Sequence, residues 1–205
     1  MKITRRAFIR YGFEIGAMAG GVGILSMQSS QSLYLRPPRS LQEKKFTSHC
    51  MRCGVCLEVC PTKCLSLVDI ALDFKNISTP VISPQHGGCL AWKTGCDACA
   101  RACPTGAIEP LMRLSDSKPG YAQIAPEKCE NCMVCLRRCP VEGAILFPNP
   151  DGAPFTREEI IPTRLKLIHS PLKPYINRKK CVGCALCAHY CPPQIITIHP
   201  EDSAL

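Results

Sequence analysis

The chain has 205 residues, only 6% of them aromatic, with 19 prolines, 14 glycines and 17 cysteines. That length allows one ordinary domain or two small ones, and the scarcity of large apolar side chains excludes a sizeable organic core. The formal charge is +9, so any inference about partners must first ask what negative charge it balances.

Residues 1–32 read as a targeting segment. Lys2 and Thr4-Arg5-Arg6-Ala7-Phe8-Ile9-Arg10 resemble the twin-arginine export consensus, with Arg5 and Arg6 as the pair. The uncharged stretch from Ile15 to Met27 is rich in Gly and Ala, and it falls short of the roughly 20 apolar residues of a spanning helix. No clean Ala-x-Ala site follows, so removal of the leader and its retention as a membrane tether both stay open. Residues 33–45 contain Arg36-Pro37-Pro38-Arg39 and are expected to form an extended linker. The body is then 46–205.

Four cysteine runs organise the body. Cys50, Cys53, Cys56 and Cys60, followed by Pro61, have the spacing Cys-x2-Cys-x2-Cys-x3-Cys-Pro. That is the bacterial ferredoxin pattern for [4Fe–4S] clusters. It recurs at Cys129, Cys132, Cys135, Cys139 and Pro140, and at Cys181, Cys184, Cys187, Cys191 and Pro192. A further run is stretched at its front, with six residues between Cys89 and Cys96, then Cys99, Cys103 and Pro104. The runs span 50–61, 89–104, 129–140 and 181–192, and of the 17 cysteines only Cys64 is left over.

The spacing suits a cubane because four irons need thiolates from four tetrahedral directions. Three cysteines two residues apart curl round one face of the cluster. Their loop turns amide N–H groups toward the sulfides. The fourth, beyond the loop, reaches the other cluster of a pair. Zinc ribbons need two Cys-x2-Cys pairs per metal and neither a third cysteine nor a trailing proline. A disulfide framework is disfavoured by cysteines so close in sequence and so regularly repeated. Four oxidised cubanes with their thiolates carry about −8, close to the formal charge. The basic balance is therefore compensated without nucleic acid.

The flanks of the runs repeat as well. Tyr121-Ala-Gln-Ile leads toward Cys129 and Pro174-Tyr-Ile-Asn toward Cys181. Ala107-Ile108, Ala144-Ile145-Leu146 and Ile195-Ile196-Thr197-Ile198 follow their runs. Each unit reads strand, cluster loop, short helix, strand, with Cys64-Leu65-Ser66-Leu67-Val68 as a further strand candidate. The fold class is α+β: ferredoxin-like, two dicluster modules with short elements around the clusters. Gly54 and Gly183 sit beside ligands, where a side chain is expected to crowd the cluster. Cys64 is read as a small packed residue, with a spare ligand as the alternative. The longest gap, 147–174, reads as a surface connector or docking excursion, and Thr156 is a candidate N-cap for a short helix after it. His189 is read as a surface residue, with cluster tuning as the alternative. The five histidines show no ligand spacing.

A twin-arginine leader, Leu35-Arg36-Pro37-Pro38 and four ferredoxin runs in one chain resemble the MauM/NapG ferredoxin-type proteins. The resemblance implies the sixteen run cysteines as ligands of four [4Fe–4S] clusters. It also implies a periplasmic location, with membrane association through a partner or an uncleaved leader. The partners it implies are a membrane-bound ferredoxin or quinol dehydrogenase component and a periplasmic redox enzyme. The insertion before Cys96 departs from the family pattern and makes Cys89 the weakest of the sixteen assignments. Related subunits of molybdenum reductases nest their runs, first with fourth and second with third; the resemblance favours nesting here, with sequential pairing as the rival. No substrate-converting site is visible, and no flavin, nucleotide or molybdenum motif. The expected function is therefore electron transfer. Its rivals are a subunit bound to a molybdopterin oxidoreductase and a protein whose clusters are only structural.

Overall fold

A computed structural model describes residues 34–71, 73–150, 153–155 and 157–201. The leader and the Thr156 cap lie outside the described residues. Those that are described belong to one compact unit, 33–205, built as two halves of the same plan.

In the first half, helix α1 (Glu43–His49) leads into the first run, and helix α2 (Val55–Glu58) carries its third cysteine. Strand β1 (Leu65–Leu67) follows, pairing antiparallel with β2 (Pro80–Ile82), which precedes the second run. The inserted residues of that run form helix α3 (Ala91–Thr94), and α4 (Ala98–Arg101) carries Cys99. A single bridge, Ser40 to Ile108, ties the chain before the first run to the chain after the second.

The second half repeats this order. Strand β3 (Gly120–Ile124) precedes the third run, and α5 (Val134–Arg138) carries Cys135. Strand β4 (Ile145–Leu146) follows. Helix α6 (Arg157–Ile168) fills the long gap, and β5 (Tyr175–Ile176) pairs antiparallel with β4. Helix α7 (Leu186–His189) carries Cys187, and β6 (Ile196–Pro200) closes the chain's described part against β3, from Gly120 opposite Pro200 to Ile124 opposite Ile196. In both halves the outer segments pair with each other and the inner segments pair with each other. This antiparallel closure brings the two runs of a half face to face.

Each half has its own apolar core. Phe46, Leu65, Ile82 and Ile108 lie in the first, and Met133, Leu136, Phe147 and Ile160 in the second. The cores are not sealed from one another: Ala185 of the fourth run is fully buried in the first.

The expected linker is part of the body. Leu35, Arg36, Pro37 and Pro38 are buried. The Arg36 guanidinium donates to Glu43, to the Thr79 hydroxyl at 2.8 Å, to the Pro80 carbonyl at 3.0 Å and to Asn76 Oδ1 at 2.9 Å. It also lies 4.9 Å from the Tyr34 ring centroid and 4.7 Å from that of Phe46. A planar five-donor cation suits such a site, because nearly every N–H finds an acceptor. The prolines run into a turn at Pro38 and Arg39 rather than on as extended chain, and the arginine before them staples the segment to the body.

The long gap is likewise docked. Ile160 and Leu167 of α6 are buried in the second core. Asn131 of the third run, itself fully buried, donates to the carbonyls of Leu167, Ser170 and Leu172 at 3.1, 2.9 and 3.0 Å. Among the described residues, no helix is long and apolar enough to cross a membrane.

Candidate metal centres

The cysteine loops share one backbone device. The residues on either side of the middle cysteine take left-handed φ: Arg52 (59°) and Gly54 (74°), Asn131 (52°) and Met133 (59°), Gly183 (67°) and Ala185 (65°). The stretched run keeps the first of these at Gly95 (72°). A further left-handed residue turns the chain out after the last cysteine, at Lys63, Gly106, Gly143 and Gln194. Alternation of right- and left-handed residues aims successive N–H groups into one concavity, which favours anions. Four of the loop residues concerned are not glycine, and each left-handed placement costs about 1–2 kcal/mol. The glycines beside ligands also have reasons in the protein itself. A Cβ at Gly54 meets no protein atom within 4 Å, so it is the left-handed backbone angle that favours glycine there. At Gly183 a Cβ would stand 2.6 Å from the backbone of Gly120, so packing on β3 requires it.

These loops leave four cavities. Cys50, Cys53, Cys56 and Cys103 wall one. Cys60, Cys89, Cys96 and Cys99 wall a second. Cys139, Cys181, Cys184 and Cys187 wall a third. Cys129, Cys132, Cys135 and Cys191 wall a fourth. Each takes three cysteines from one run and the last cysteine of its partner run. The structure thus brings together all sixteen predicted residues, Cys89 included. It pairs first with second and third with fourth, which overturns the nested pairing. The physical reason is the strand closure within each half: β1–β2 and Ser40–Ile108 hold the first two runs together, and β4–β5 and β3–β6 the last two.

The cavities fit a cubane in number of thiols and in N–H donors. Among the described residues, no three His, Cys, Asp or Glu side chains close on a point that would hold a single metal ion. The Ala122 N–H donates to Cys181 Sγ at 3.3 Å. At Cys103 burial acts to raise the pKa, but N–H groups of Ile108, Thr105 and Ala107 and the Thr105 hydroxyl outweigh it and leave the thiol below its ordinary value. Such donors stabilise negative sulfur. At four other cysteines burial dominates. Cys56 is pushed up to about 11, first by burial and then by Cys50 and Cys53. Burial first, then neighbouring thiols, takes Cys99 to about 12. Burial likewise takes Cys135 and Cys184 to about 12.

Two residues have more to do than the sequence indicated. Cys64 is 1% exposed and lines the second cavity, its Sγ 3.6 Å from Cys60 Sγ. It holds the place of Ala107 in the next unit, four residues past the last cysteine, a correspondence that the repeat itself makes visible. His189 is half-buried rather than superficial, with Nδ1 3.0 Å from the Pro84 carbonyl of the other half.

Comparison with known proteins agrees with this chemistry. A model described as "4Fe-4S dicluster domain" matches 94–143, and one described as "4Fe-4S binding domain" matches 44–66 and 174–197. The dicluster match covers most of the second run and all of the third, which lie in different halves of the molecule. It follows the order of cysteines along the chain, whereas the cavities show which thiols meet. The chain is 31% identical over 197 residues to the methylamine utilization ferredoxin-type protein MauM of Methylobacillus flagellatus, covering 93% of this chain and 76% of that protein. It is 31% identical over 205 residues to the ferredoxin-type protein NapG of Escherichia coli, covering 91% and 80%. The NapG of Haemophilus influenzae is 30% identical over 216 residues, covering 98% and 73%. With similarity of this extent added to cavities of this make, the chain belongs to the MauM/NapG family of ferredoxin-type iron–sulfur proteins.

Proposed function

We propose that the sixteen cysteines of the four cavities hold four [4Fe–4S] clusters, and that the protein relays single electrons between a membrane-bound ferredoxin or quinol dehydrogenase component and a periplasmic redox enzyme. The observation that carries this reading is the set of four cavities, each walled by three cysteines of one run and the last cysteine of its partner run. A bound cluster would take up and release one electron. The chain's own contribution is to supply thiolates, aim N–H donors at them and keep water from most of the sulfur. Arg5 and Arg6 support export of the folded, loaded protein, since cubanes are assembled before export. The periplasmic side follows from that signal and from the family.

Purification without oxygen tests this. The protein is expected to be brown, to carry about sixteen irons and as many sulfides, and to give electron paramagnetic resonance signals on reduction. Membranes from a strain lacking it are expected to pass electrons to the terminal enzyme more slowly. Colourless material, or an unchanged rate, overturns the proposal. Clusters that resist every physiological reductant would point to a structural role instead.

A further inference from the structure

The stretched front of the second run has a structural counterpart. Six residues, four more than in the other runs, separate Cys89 from Cys96 and set it against the other half of the molecule. The Cys89 N–H donates to the Cys184 carbonyl at 2.7 Å. Cys89 walls the second cavity and Cys184 the third. The approach depends on the preceding residue: a Cβ at Gly88 would lie 2.7 Å from Leu186 Cα and 2.7 Å from its Cδ2. The His189–Pro84 contact and the burial of Ala185 in the first core close the same seam. Within each half the cavities are already joined, because α2 and the turn after it carry Cys56 of one cavity and Cys60 of the next. In the second half α5 does the same for Cys135 and Cys139.

We propose that the insertion is an electrical junction: it seats Cys89 on the backbone of Cys184 so that one electron crosses between the halves there. The order of centres is then the Cys53 centre, the Cys96 centre, the Cys184 centre and the Cys132 centre. This rests on the reading above that the cavities hold clusters. The step is a single electron leaving a reduced centre for an oxidised neighbour, with no bond made and no proton moved.

Magnetic coupling between reduced centres reads out the order. In a Cys132→Ala background the fourth centre is absent, and the Cys184 centre has neighbours only across the seam. Adding Cys96→Ala is expected to leave its signal narrow and unsplit. Adding Cys53→Ala instead is expected to leave the splitting in place. The reverse pattern overturns the proposal. Iron content separates this from failure of the cluster assignment, with about twelve irons expected in the background and about eight in each double variant. Gly88→Val keeps every thiol. It is expected to retain about sixteen irons and to lose the splitting across the seam, and an unchanged spectrum at full loading overturns the junction.

Discussion

Cys64 shows how a single atom can distinguish one centre from three others of the same build. Cys60 alongside acts to lower its pKa, but the Cys89 thiol and burial outweigh that and take it up to about 11. At neutral pH it therefore keeps its proton and can offer an S–H to the sulfur of Cys60. A hydrogen bond to a cluster ligand favours the more negative, reduced state. Cys64→Ala is accordingly expected to keep all its iron and to lower the potential of the second centre, while Cys64→Ser restores part of the difference. Redox titration followed by paramagnetic resonance checks this; four unchanged potentials would show that the thiol only packs.

At the scale of elements, the loops and short helices were largely legible, because their cysteine spacing is dictated by the cage they surround. The pairing of runs was not. All four runs carry nearly the same signature, so local sequence gives no preference among partners. The choice is made by strands up to 80 residues apart in sequence, such as β3 with β6. The docking of 147–174 was also hidden, since a proline-rich gap reads as solvent-exposed chain. Beside the burial of Ile160 and Leu167, what holds it includes one buried amide on the third run, on a residue in left-handed conformation. Asn131→Ala removes two N–H donors shared among three carbonyls and leaves these poorly satisfied, a loss of roughly 2 kcal/mol at about 1 kcal/mol per donor. The expected outcome is faster proteolysis in 157–173 and earlier thermal bleaching of the third run's centre, with the first half unaffected. Uniform bleaching of all centres would show that the halves do not melt separately.

For the whole molecule, folding and cofactor are one problem. Thiols raised to about 11 or 12 in the second half and at Cys56 and Cys99 are protonated at neutral pH. Each must lose its proton to bind iron, so loading releases protons and acid favours loss. Cluster bleaching by a chelator is expected to quicken as pH falls below neutrality, with loss of secondary structure following iron release. In the iron-free chain the sign is opposite. Folded pKa values above the ordinary 9.0 mean that stability from neutral buried thiols is present below pH 9 and is lost as pH rises toward about 11–12. Circular dichroism and iron release across pH check both limbs.

The like-built centres have one last consequence. If the cages are alike, any downhill slope along the wire must come from their surroundings. Cys53 of the first centre lies open to solvent, whereas Cys181, Cys184 and Cys187 of the third are all enclosed. Water steadies added negative charge and a dry interior does not. An electron on the enclosed third centre would therefore drift toward the wet first one and come to rest where a partner can collect it.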